Sequence, residues 1–127
     1  MNDNEDTQID GEMPIYDAVK DMGADELEAT VRRNASERNF KLEDAHLDVI
    51  RTLVEHYQRD CKSRDCLAAH EHMRYLEDAY AERGGSRYLY MLFDLVPDVR
   101  GVLAPIHDLA GLPALRLETD EGFGTAF

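Results

Sequence analysis

Cys66 and His70 stand four residues apart, a spacing that puts two side chains on one face of a helix. With Cys61 or His72 they have the donor types of a metal site. The spacing is not that of a recognised zinc pair, however, and Ala69, Met73, Leu76 and Tyr80 run along the same stripe. The plainer reading makes Cys66, His70 and Met73 core residues and Cys61 a loop thiol. Two cysteines are too few for a disulfide scaffold, so in a reducing compartment both are expected as free thiols. A free thiol can carry sulfur, but one held on a helix makes a poor swinging arm. The histidines His46, His56, His70, His72 and His107 have no neighbouring nucleophile or paired-carboxylate motif that would make one a general base. Structural or surface roles are expected for them, and His46 belongs to a helix start. No catalytic residue, resident metal or cofactor is assigned.

The elements that must position these groups are helical. Residues 1–13 are acidic and amide-rich with few apolar side chains, and are expected to be a disordered lead. Pro14 can open a short helix carrying Ile15, Val19 and Met22; Gly23 breaks it, and Ala24 to Ala35 forms a second through Leu27 and Val31. From Leu42 to Tyr57 the positions Ala45, Val49, Leu53, Val54 and Tyr57 recur at helical spacing, with Glu43 and Asp44 at the favourable end for negative charge. Ser63 can cap a helix from Arg64 to Glu82, ended by Gly84-Gly85 and packed antiparallel on its predecessor. Ser86 can cap another, Arg87 to Asp94, apolar on most sides and therefore expected to be largely buried. Pro97 opens a last helix ending at Gly111, which Pro105 should kink or divide. With no alternating strand pattern, the expected fold is an all-α, orthogonal bundle of four to five helices over residues 14–113, followed by an arm at 114–127.

The charge narrows the function. A formal net charge of -13, from 27 acidic against 14 basic residues, repels a phosphate backbone, which argues against nucleic-acid partners, including a DNA-binding regulator. No apolar run approaches the length that spans a bilayer, and the amino terminus lacks the basic-then-apolar pattern of an export signal. A cytoplasmic protein without membrane insertion is expected.

Three stretches in order resemble the DsrC/TusE family, small proteins that hand sulfur to or from sulfite reductases and the tRNA-thiolation relay. Leu42-Glu43-Asp44-Ala45-His46-Leu47-Asp48-Val49-Ile50-Arg51 is similar to the family's Leu-Ser/Thr-x-Glu-His-Trp-x-Val-Val/Ile helix start. Gly85-Ser86-Arg87-Tyr88-Leu89-Tyr90-Met91-Leu92-Phe93 is close to Asn-Ser-Arg-Tyr-Leu-Tyr-x-Leu-Phe, the most specific of the three. Ala110-Gly111-Leu112-Pro113 matches the Ala-Gly-Leu-Pro before the family's mobile arm. The resemblance covers roughly residues 40–113.

The resemblance implies a protein partner, a sulfite-reductase-like or sulfur-relay enzyme, met by Arg87, Tyr88 and Tyr90. It also exposes a departure. The family's two arm cysteines correspond to His107 and Glu118, neither of which can hold a persulfide, and the chain continues nine residues past Glu118. The expectation is a non-catalytic accessory or regulatory protein that docks without carrying sulfur. The alternative is a sulfur carrier or transferase using Cys61 or Cys66. Glu43 in place of the family's hydroxyl cap and Leu47 in place of its tryptophan alter details of the same surface.

Overall fold

A computed structural model describes residues 15–61, 69–94, 96 and 100–113. Among these there are six α-helices and no strand: α1 (Ile15–Val19), α2 (Ala24–Glu37), α3 (Asp44–Asp60), α4 (Ala69–Ala79), α5 (Ser86–Phe93) and α6 (Leu103–Ala110), with a single 3-10 turn at Ala81–Arg83. The expected all-α bundle is observed, and α3 is its hub, in contact with α1, α2, α4 and α5. That position explains its composition. Leu47, Val49, Ile50, Leu53, Val54 and Tyr57 are all buried, so α3 carries apolar residues on more of its circumference than a surface helix does.

Several helix ends are closed by identifiable groups. Gln58 on α3 donates through Nε2 to the carbonyls of Val19 and Met22 at 2.8 and 3.0 Å. Val19 ends α1 and Met22 lies in the turn beyond it, so the contact ties the α1 terminus to α3. Beyond α2, Asn39 takes a left-handed conformation at φ 57°. The N–H of Phe40 then reaches Ala35 O at 2.9 Å and that of Asn39 reaches Ser36 O at 3.1 Å, the two bonds of a Schellman ending. At the start of α3 the Glu43 N–H donates to His46 Nδ1 at 2.9 Å, so His46 serves the helix start as expected. Gly111 ends α6 at φ 71°, with Leu112 N–H bonded to His107 O at 2.9 Å.

α2 and α6 are clamped by polar contacts as well as apolar ones. Arg38 donates from Nε and Nη2 to the two carboxylate oxygens of Asp108 at 2.6 and 3.2 Å. Asn34 Nδ2 donates to Leu109 O at 2.8 Å.

Three expectations are corrected. Pro105 neither kinks nor divides its helix, because α6 begins at Leu103 and the proline sits in the first turn, where its missing N–H has no intrahelical partner to lose. Ser86 is the first helical residue of α5 rather than its cap; Gly85, at φ 60°, takes the cap position. The third concerns α5 itself, which is not largely buried: only Leu89 and Phe93, four residues apart, are fully enclosed. The expected helix opening at Pro97, the Ser63 cap and the terminal segments lie outside the described residues.

Candidate functional site

The positions singled out in the sequence fall into two regions of opposite character. Along α5 and at its C-terminal cap, Arg87, Tyr90, Met91 and Asp94 are all exposed, at i, i+3, i+4 and i+7. Tyr90 is 40% and Met91 66% exposed, and they are the exposed large hydrophobic residues among those described. Met91 and Leu92 border a groove completed by Asn39, Phe40, Lys41, Glu43 and His46. Its base is rigid, since the His46 ring meets Phe40 and Phe93 edge-on at 4.8 and 5.5 Å. The ring is also held at both nitrogens. Its Nδ1 accepts from Glu43, so Nε2 carries the proton and donates to Leu92 O at 2.8 Å. A single histidine thereby joins the α3 start to the end of α5.

Tyr88 does not join that face. It is half-buried on the flank of α5, stacked against Tyr80 at 5.9 Å, with the Arg83 guanidinium 6.0 Å from its ring centroid. Tyr80 is anchored in turn through its hydroxyl to Asp48 at 2.7 Å. Of the three partner-binding positions expected, the structure brings Arg87 and Tyr90 together and places Tyr88 elsewhere. The residue that the sequence reading missed is Met91, which the helical spacing from Arg87 could have found.

The second region is a buried polar corner built by α3, α4 and α6. Tyr57 is wholly enclosed and donates its hydroxyl proton to His107 Nε2 at 2.7 Å. The opposite nitrogen, His107 Nδ1–H, donates to Pro113 O at 2.7 Å. Both partners fix the neutral tautomer. Burial drives the His107 pKa down from 6.5 to about 4, against the opposing pull of the Pro113 carbonyl, with nearby His72 also lowering it. Burial pushes the Tyr57 hydroxyl well above its usual 10. His107 is thus a core residue of α6 that holds the turn through Pro113, not a residue of an accessible arm; Glu118 lies outside the described residues.

On the other side of Tyr57, His56 Nδ1 meets Asp60 Oδ2 at 2.9 Å and His56 Nε2 meets His72 Nδ1 at 3.0 Å. With the carboxylate accepting from Nδ1–H, the neutral His56 ring can accept at Nε2 from His72. Tyr75 covers His56 in a parallel stack at 4.0 Å, and the His72 ring stands edge-on to Tyr57 at 4.8 Å. His70, by contrast, is exposed, which corrects its expected place in the core.

Cys61 ends α3 and is 3% exposed. It is disulfide-bonded, which corrects the expectation of a free loop thiol. Cys66, the chain's other cysteine, lies outside the described residues. Among the described residues there is no free cysteine, so Cys61 is not available as a nucleophile in this form. Among the described residues no three His, Cys, Asp or Glu side chains are grouped as metal ligands, and no helix is long and apolar enough to cross a membrane.

Comparisons with family models, with curated proteins and with solved structures found no match.

Proposed function

We propose that this chain is a DsrC/TusE-like accessory or regulatory protein of the cytoplasm, which docks on a sulfite-reductase-like or sulfur-relay partner and carries no sulfur itself. The observation that carries this reading is the outward face of α5. Met91 and Tyr90 are adjacent, apolar and open to solvent on a helix whose inward residues are fully packed. Scattered exposed hydrophobics are ordinary, but two together beside a groove with a rigid base have the makings of a contact surface. Arg87 at one end of this face and Asp94 at the other supply charges of both signs for orienting a partner. The face belongs to the same Ser-Arg-Tyr-Leu-Tyr block that most resembles the family.

The absence of sulfur carriage rests on separate grounds. The position corresponding to one family cysteine is His107, enclosed in the core, and Cys61 has no thiol while its disulfide stands. The test is capture from native extract by the wild-type chain and by Tyr90→Ser and Met91→Glu variants. A sulfite-reductase-like or sulfur-relay protein retained by the wild type and lost by both variants supports the reading. Retention of the same proteins by all three, or recovery of no protein of that class by the wild type, overturns it.

A further inference from the structure

The charges on α5 run against the helix that carries them. Arg87 stands in its first turn and Asp94 caps its C-terminal end, with no acid in the first turn and no base in the last. A helix dipole favours the reverse order, so helix stability does not account for either residue. Neither has an ion-pair partner among the described residues. Between them lie Tyr90 and Met91, both exposed. Asp94 keeps helical angles, φ -66° and ψ -20°, so the i, i+3, i+4, i+7 spacing follows one side of the helix through the cap.

This stripe is its own complement. Arg87 lies three residues before Tyr90 and Asp94 three residues after Met91, so the pattern maps onto itself when a second copy is laid alongside in the opposite direction. Each Arg87 then faces the partner's Asp94, and each Tyr90 faces the partner's Met91. Charge pairing favours the outer contacts and sulfur–aromatic contact the central ones. The dipoles agree as well, because antiparallel packing brings Arg87 to the negative end of the partner's helix and Asp94 to its positive end. Parallel packing in register would set like charges against each other. The groove beside Met91 adds Lys41 and Glu43, one charge of each sign, and so does not oppose the pairing. We propose that the face of α5 is a two-fold self-association surface, on which α5 of a second copy of this chain packs antiparallel.

The surface is short. From Arg87 to Asp94 the helix rises only about 10 Å, which places the interface below the roughly 1,200 Å² of a standard one and makes the dimer weak and concentration-dependent. The net charge of -13 on each copy adds repulsion. Physiological salt screens that repulsion beyond about 8 Å while leaving charges in contact paired. Because the dimer covers Tyr90 and Met91, a second copy and a docking partner exclude each other on this face. The self-pairing is carried by α5 alone and does not depend on what that partner is.

The experiment is sedimentation equilibrium of the purified full chain over a concentration series at physiological salt, repeated for variants at these exposed positions, with circular dichroism to confirm that each is folded. The wild-type mass should climb from the monomer's 14.5 kDa toward twice that value. Arg87→Glu and Asp94→Arg should each weaken the dimer by about tenfold or more, since either one sets like charges together at both ends of the pair. Mixed in equal amounts, these two variants should bind each other as tightly as the wild type binds itself, and the double variant should self-associate like the wild type, because both combinations restore opposite charges at both contacts. Met91→Glu should remain a monomer. A wild-type chain that stays monomeric throughout the series overturns the proposal. So does a dimer that Arg87→Glu and Asp94→Arg leave unchanged, or a mixture of the two that fails to recover it. With only the purified chain present, none of these outcomes decides whether a sulfur-metabolism protein docks.

Discussion

The two regions of this molecule invert the usual division between inside and outside. The α3–α4–α6 corner buries histidines and a tyrosine hydroxyl, while the face of α5 exposes a methionine and a tyrosine. In the corner each polar group costs desolvation and is kept only by being paired, so a substitution there should act on stability. On α5 the apolar groups have little to lose in the isolated chain, so a substitution should act on association and leave folding alone.

The largest effect should come from pH acting on His107. Its folded pKa of about 4 lies below its ordinary 6.5, so the native state binds fewer protons than the unfolded chain between these values. The stability from keeping this ring neutral is fully present above the ordinary value and is lost as the pH falls toward the folded one, by about 3 kcal/mol for this group. Chemical denaturation at a series of pH values measures the slope, and His107→Leu should flatten it. A slope unchanged in that variant would separate acid sensitivity from this residue.

Next in size is Tyr57→Phe, which leaves His107 Nε2 enclosed without its donor. It should cost about 2 kcal/mol in unfolding free energy at neutral pH. Gly111 has a φ of 71°, which is strained for a side-chain-bearing residue even though a methyl there would meet only ordinary contacts with Thr30 and Asn34. Gly111→Ala should therefore cost about 1 kcal/mol. Thermal melting checks both. The smallest change in stability is expected on α5: Tyr90→Ser and Met91→Glu should fall within about 0.5 kcal/mol of wild type.

The sequence carried the helices better than the site. Hydrophobic spacing placed α2, α3 and their core residues, and Gly111 marked a real stop, because these signals act within a turn or two of the chain; the helix expected to run to Glu82 instead ends at Ala79, and Gly84 closes the 3-10 turn that follows it. The exposure of α5 was hidden because Tyr88 through Phe93 are apolar at every position, and only packing selects Leu89 and Phe93 as the inward pair. His46 was readable as part of a helix start, whereas its bond to Leu92, 46 residues away, was not. The same holds for His107. Its tie to Tyr57 spans 50 residues, and only tertiary contact turns an apparent arm position into a core residue. Asn39 could have been recognised as a left-handed helix stop, being the residue type that most readily replaces glycine there. The disulfide at Cys61 ran against an expectation drawn from compartment chemistry rather than from geometry.

The division of labour between the two regions is tested most directly by measuring melting temperature and partner capture on the same two variants. Met91→Glu should melt with the wild type and lose the partner proposed for this face; Tyr57→Phe should melt lower and, below its transition, keep it. A Met91→Glu variant that binds like wild type, or a folded Tyr57→Phe variant that has lost the partner, would contradict the assignment of docking to α5.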